Sequence, residues 1–323
     1  MQAQPLYEHI LVAVDAHGLA RDALVRAAEL SKELGAKLDL VHAVEMPRPI
    51  WIGIGADELA AMQAATLRTA RERVLGYVEP TLTEMGVEGT PADLLHVAEG
   101  PPAHVILDRA QEQDADLVVL GKHEKKHLFD FGGTARAVLP RAACPVWTES
   151  ATVEPVRRIL VPIDFSEHSK LALDHAVRVA SNFGASIRVV HGYAPPEFAY
   201  ANVEAVPGPT YVVDQDRGAA KEELARWMGD VEWGELDVTS DVVEGDIVRN
   251  LVKASKDTDL VVLGTHGRTG LARFLLGSVA YAVLKHAEVP VLVIPSPDRK
   301  WILGETVATQ PAHTSVVPPL SLA

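Results

Sequence analysis

The stretch Gly264-Thr-His-Gly267-Arg-Thr-Gly270-Leu-Ala-Arg-Phe-Leu-Leu-Gly277-Ser278 contains the residue types that can cradle an anion. Glycines at 264 and 267 let a backbone turn tightly and approach a ligand with no Cβ in the way. Gly277 and Ser278 stand where the last helical pattern begins. There, unpaired N–H groups and the positive end of the helix dipole favour negative charge. The Ser278 hydroxyl can add a hydrogen bond, and Arg268 or Arg273 can neutralise charge. His266 lies inside the same loop, where meeting a phosphate and being solvated are equally open to it. Asp164 follows an earlier apolar run of the same half, and a carboxylate there suits a ribose hydroxyl or a metal-bridged phosphate. The competing reading treats the glycines as turn punctuation and Ser278 as a helix cap. A strand–loop–helix setting with an aspartate on the neighbouring strand favours the ligand. No Gly-Lys-Ser/Thr closes the loop, so it is not a Walker A loop. A dinucleotide fingerprint would follow the first strand rather than the fourth.

Other chemical groupings are weaker. His123-Glu124-Lys-Lys-His127 fits the spelling of a zinc-protease motif, but that chemistry needs both histidines on one face of a helix and a third ligand. Here the spelling falls in a loop after a strand, so coincidence is the better reading. His42 and His191 occupy matching positions at the ends of two strands and are expected to pack or hydrogen-bond there. Cys144, the single cysteine, has no activating neighbour in sequence and reads as a packed thiol. No nucleophile–base pair stands out.

The elements that must position these residues come in two similar sets. Ile10-Leu11-Val12 with Asp15 returns as Ile159-Leu160-Val161 with Asp164. At the same spacing, Ala23-Leu24 matches Ala172-Leu173, Gly35-Ala36 matches Gly184-Ala185, and Val41-His42 matches Val190-His191. Asp114-Ala-Asp-Leu-Val-Val-Leu-Gly121 returns as Asp257-Thr-Asp-Leu-Val-Val-Leu-Gly264. A domain duplication explains this better than a short solenoid repeat. In the second copy, strands are expected at 158–163, 187–191, 236–243, 260–263 and 291–294, and helices from the Ser166 cap to Gly184 and at 219–231, 247–255 and 278–286. Residues 195–217, rich in Pro and Gly, are expected as a long loop. Strands alternating with helices predict α/β architecture: two tandem doubly wound, Rossmann-like parallel five-stranded sheets of order 3-2-1-4-5. The expected units are 1–150, 156–295 and a largely irregular tail, 296–323, in which Trp301-Ile302-Leu303 can pack back onto a domain.

Composition bounds the function. The 323 residues suffice for two ordinary domains, and 48% of them are hydrophobic, enough for two cores. A formal net charge of −14 argues against a nucleic-acid partner, which needs a local Lys/Arg excess. It does not argue against one nucleotide held by backbone N–H groups. No apolar run reaches the ~18 residues of a membrane helix, and Met1–Glu8 lacks a signal-peptide core. A lone cysteine fits a reducing compartment. The expectation is a soluble, cytoplasmic protein with no membrane span.

The spacing Gly264-x2-Gly267-x9-Gly277-Ser278, preceded by Asp-Leu-Val-Val-Leu and followed by Val289-Pro-Val-Leu-Val-Ile-Pro295, resembles the ATP-binding universal stress proteins. The opening Ile159-Leu-Val-Pro-Ile-Asp-Phe-Ser166 matches as well, and the resemblance covers residues 8–148 and 157–295. The tandem arrangement is similar to the universal stress protein E type. The resemblance implies ATP as cofactor, with Mg or Mn as its accompanying ion. It implies that Pro162, Asp164 and Gly192 face the base and ribose, and that Gly264, Gly267, Gly277, Ser278 and Val279 face the phosphates. Ala280 stands where many family members have a hydroxyl. The first half departs from the pattern: Glu124 takes the second glycine position, the loop is one residue shorter, and Ala13 replaces the proline. A carboxylate facing phosphate is repulsive. That site reads as degenerate, with Lys122, Lys125 and Lys126 as the cations able to rescue anion binding.

The functional expectation is an ATP-binding stress-response protein acting as a nucleotide-dependent sensor or regulator through its second half. A slow ATPase or phosphotransferase at the same site is one alternative. An apolar-ligand or scaffold role for the first half, suggested by Pro49, Ile50, Trp51, Ile52 and Ile54, is another. Each half ends in an apolar, proline-bounded strand, which in the 3-2-1-4-5 order lies at a sheet edge. Two such edges can protect each other, so an intramolecular pseudo-dimer with adjacent, antiparallel fifth strands is expected. A homodimer is the further option, and the sequence names no protein partner.

Overall fold

The computed structural model describes residues 5–46, 55–121, 132–150, 152–193, 209–265 and 276–296. The first half runs β1 (His9–Ala13), α1 (Arg21–Leu34), β2 (Lys37–Val44), α2 (Ala56–Met85), α3 (Pro91–Leu94), β3 (Leu95–Glu99), α4 (Pro102–Glu112), β4 (Leu117–Gly121), α5 (Gly133–Val138) and β5 (Val146–Glu149). The second half runs β6 (Arg158–Ile163), α6 (Glu167–Phe183), β7 (Ser186–Tyr193), α7 (Pro209–Gly229), β8 (Val238–Glu244), α8 (Ile247–Ser255), β9 (Leu260–Gly264), α9 (Ser278–His286) and β10 (Val291–Ile294).

Each half forms a parallel sheet of the expected order, and the two sheets join. The ten strands make one sheet in the order β3-β2-β1-β4-β5-β10-β9-β6-β7-β8. The join is antiparallel, with Val291 opposite Thr148, Leu292 opposite Trp147 and Val293 opposite Val146. The Thr148 hydroxyl adds a bond to the Val291 carbonyl at 3.0 Å. The two proline-bounded apolar edges thus cover each other, as the edge-strand argument requires.

Alternation along the strands divides the core into two layers. Ile10, Val12, Trp147, Ile159, Val161 and Leu292 point to one face, against α1, α2 and α6. Leu11, Val118, Val146, Leu160, Val261 and Val293 point to the other, against α4, α5, α8 and α9. Both layers run through both halves without a break at the join.

Local boundaries follow the sequence closely, with one larger departure. Gly184 stops α6 in the left-handed region at φ 64°, as Gly35 stops α1 at φ 67°. Helix α7 begins at Pro209, inside the segment expected to be loop. Proline counted there as a loop former, yet it is also favoured in the first helical turn, where its missing N–H is not needed.

Candidate functional site

Parallel order 3-2-1-4-5 opens a crevice between the first and fourth strands, because their crossovers leave on opposite faces of the sheet. In the second half these are β6 and β9, paired through Ile159–Leu260 and Leu160–Val261. A cleft of about 590 Å³ lies at their C-terminal ends. Pro162, Asp164, Gly192, Gly264, Gly277, Ser278 and Val279, all expected as contacts, line this one cleft. His266 and Gly267 lie outside the described residues, as do Arg268 and Arg273.

The glycines have more than one job. A Cβ on Gly264 would sit 2.8 Å from the His168 carbonyl oxygen, so residue 264 is small because the start of α6 presses against the end of β9. A Cβ on Gly192 would sit 2.6 Å from Cγ2 of Ile247. Gly277 differs from both. It takes φ −56° and ψ 148°, open to any residue, and it is the N-cap of α9. No side chain caps this helix: Gly277 holds the cap position that the competing reading would give to Ser278, and Ser278 is the first helical residue. The Gly277 N–H donates to the Thr265 carbonyl at 2.8 Å, pinning the return of the loop to its departure from β9.

Opposite α9, Asp164 Oδ1 accepts from the Ser166 N–H at 3.1 Å and the Ser166 hydroxyl at 2.5 Å. Ser166 Oγ in turn accepts from the Ser169 N–H and caps α6. His191 donates from Nδ1 to the Ile163 carbonyl at 2.9 Å, because a carbonyl can only accept. That fixes its ring at the wall of the cleft. His42 makes the same bond to Val14 in the first half, also at 2.9 Å. Both histidines therefore hydrogen-bond at strand ends, as their matching positions suggested. Ser169, Tyr193, Ile247 and Leu251 also line the cleft and were missed. The first three carry no signal beyond position, while Leu251 belongs to an ordinary amphipathic helix.

The matching crevice of the first half is divided: a pocket of about 150 Å³, lined mainly by apolar groups such as Ala13, Val14, Ala20, Ile106 and Leu120, meets a more open one of about 560 Å³ at Asp15, His42 and Ala43. Both Asp15 oxygens are engaged, Oδ1 by the His17 N–H and Oδ2 by the Ala20 N–H, each at 2.6 Å. The His123–His127 spelling, the three nearby lysines and the 49–54 apolar cluster lie outside the described residues. Among the described residues, no three His, Cys, Asp or Glu side chains gather as a metal site. Also among them, no helix is long and apolar enough to cross a membrane. Cys144 is buried, and burial pushes its thiol well above the ordinary range, consistent with a packed side chain.

Comparison with known proteins gives the family and the fold. The model of the universal stress protein family matches twice, over residues 6–148 and 155–295. Universal stress protein Rv2005c of Mycobacterium tuberculosis is 30% identical over 284 residues, covering 85% of this chain and 90% of that protein. Universal stress protein MJ0531 of Methanocaldococcus jannaschii is 32% identical over 146 residues, 45% of this chain and 85% of that one. Among solved structures, a universal stress protein of Archaeoglobus fulgidus superposes with a TM-score of 0.59 at 16% identity, covering 89% of this chain and 98% of its own. A functionally unknown protein of Pseudomonas aeruginosa gives 0.58 at 19% identity, covering 90% and 94%. These last two likenesses concern the fold.

Proposed function

The chain belongs to the universal stress protein family, and from that premise we propose that its second half binds ATP and acts as a nucleotide-dependent sensor or regulator. The observation that carries this reading is the asymmetry between the two crevices. The second is one continuous cleft of about 590 Å³, within the range of small-molecule sites, while the first is divided into a pocket of about 150 Å³ over the strand ends and a more open one of about 560 Å³ toward α2, which meet at Asp15, His42 and Ala43. Both crevices pair a helix N-terminus that no side chain caps with glycines and an aspartate, but the helix has nine residues in the second half and six in the first, where both oxygens of the aspartate are already taken by backbone N–H groups. The α9 N–H groups supply partial positive charge for phosphate, and Asp164 supplies an acceptor for a ribose hydroxyl or a ligand for an accompanying Mg or Mn ion. Ser278, Val279, Gly264 and, in the loop beyond the described residues, His266 and Gly267 complete the phosphate side. Pro162 and Gly192 form the base and ribose side.

The test is Gly277→Asp. Its φ and ψ accept aspartate without strain, so the fold should survive while a carboxylate enters the phosphate position. ATP affinity by calorimetry should fall at least about tenfold, or ~1.4 kcal/mol, with circular dichroism unchanged. Undiminished affinity in the folded variant would mean the phosphates lie elsewhere. Nucleotide released from freshly purified protein separates a sensor from an enzyme: intact ATP supports the sensor, and sustained ADP production under turnover supports hydrolysis.

A further inference from the structure

The duplication lets one loop be compared with its own copy. Phe165 corresponds to Ala16, Ser166 to His17 and Ser169 to Ala20. In the first half, the Ala20 N–H at the start of the helix is capped by Asp15 Oδ2. In the second half the corresponding N–H, that of Ser169, is capped by the Ser166 hydroxyl at 3.2 Å. The cap has passed from the aspartate to the serine: Asp164 keeps the Ser166 N–H, as Asp15 keeps that of His17, but takes the Ser166 hydroxyl in place of the helix N–H. The backbone between them differs as well. Phe165 has φ 62°, and Asp114 is the other described non-glycine residue with positive φ. A bulky residue in the left-handed region is an outlier and persists only when its surroundings over-determine it.

Two rings do so here. Phe165 lies 4.2 Å, centroid to centroid, from His191, whose ring is fixed by its bond to the Ile163 carbonyl. It also meets Trp227 of α7 edge-on at 6.0 Å. Ala16 offers no ring for such packing.

We infer that Phe165 is a positioning residue for the nucleotide cleft: clamped between His191 and Trp227, it holds a left-handed backbone that gives the helix cap to Ser166 and keeps Asp164 turned to the cleft. This rests on the nucleotide reading above. The ring acts through the backbone, so the decisive comparison is between two variants that both lack it. Phe165→Gly loses the clamp but takes positive φ freely. Phe165→Ala loses the clamp and keeps the Cβ that disfavours positive φ. The alanine variant should bind ATP about tenfold more weakly than the glycine variant. A ring that merely filled space would give the reverse order or no difference, since glycine packs no better and is more flexible.

A crystal structure of Phe165→Ala needs no ligand. It should show the Asp164 carboxylate on the Ser169 N–H, as Asp15 is on Ala20, and Phe165→Gly should keep Asp164 on the Ser166 hydroxyl and that hydroxyl on the Ser169 N–H. Equal affinities for the two variants, or a Ser169 N–H still capped by the Ser166 hydroxyl in Phe165→Ala, would overturn the inference. Wild-type protein that binds no nucleotide would overturn the proposed function instead, and the structure of the alanine variant would then decide the role of Phe165.

Discussion

At the scale of single residues, Gly264 shows how one side chain, or its lack, serves two demands. A Cβ there meets a backbone carbonyl, that of His168, which cannot swing aside. Gly264→Ala should therefore destabilise the protein by about 1–3 kcal/mol, as overpacking does. The measurement is urea unfolding, and stability equal to wild type would mean that α6 does not press on β9 as described. Sequence alone identified Gly264 as special but attributed its size to an approaching ligand, because the neighbour that enforces it is about a hundred residues away in the chain. Gly192, which only the family resemblance singled out, is likewise held small by a neighbour distant in the chain, Ile247. Phe165 gave no signal at all, since nothing in a single sequence distinguishes a left-handed phenylalanine from a packed one. Asp164 and Gly277 were legible because helix starts and strand ends can be read from local pattern.

At the scale of elements, the first helix of each half reaches across to the chain entering the other. Arg26 of α1 and His175 of α6 occupy matching positions in the repeat. Arg26 is buried and donates to Glu149 Oε2 at 2.8 Å and to the Glu154 carbonyl at 2.6 Å, gripping the connection that leads into β6. Burial pushes the Glu149 carboxyl up, opposed by Arg26, the Trp147 indole N–H and the Ser150 N–H. His175 lies 2.7 Å from the buried Tyr7 hydroxyl, just before β1, and Arg178 donates to the Pro5 carbonyl. One clasp is ionic and the other neutral. Burial, and secondarily the Arg178 charge, pull His175 down from its usual 6.5 to about 4.

The sign of that shift fixes a pH dependence. As pH falls, the unfolded chain takes up the proton near 6.5 and the folded chain only near 4. The stability His175 contributes is thus fully present above about 6.5 and is lost as pH falls toward 4. His175→Gln should flatten the decline of unfolding free energy across that window, and an unchanged slope would contradict the neutral clasp. None of these cross-contacts could be read from periodicity, because they join segments that are close only once the sheet has formed. By contrast, the repeated Asp-x-Asp-Leu motif was legible as a repeat and now has a reason. Asp116 accepts from the Glu8 and His9 N–H groups, and Asp259 from those of Arg157 and Arg158, so each ties the fourth strand to the start of the first.

At the scale of the whole molecule, duplication has turned what would be two edge strands into the middle of a ten-stranded sheet. The strand order and the join were legible because they follow from alternation, right-handed crossovers and the cost of a bare apolar edge. What the sequence understated was how far the two copies have diverged inside the same scaffold. In the first half both Asp15 oxygens serve the backbone and the space beside them is divided into two pockets, whereas in the second one continuous cleft runs past Asp164. A molecule built this way should carry one nucleotide, not two. Isothermal titration of the intact chain with ATP tests this most directly: a single saturable site with a stoichiometry near one per chain is expected, whereas two comparable sites, or none, would contradict it.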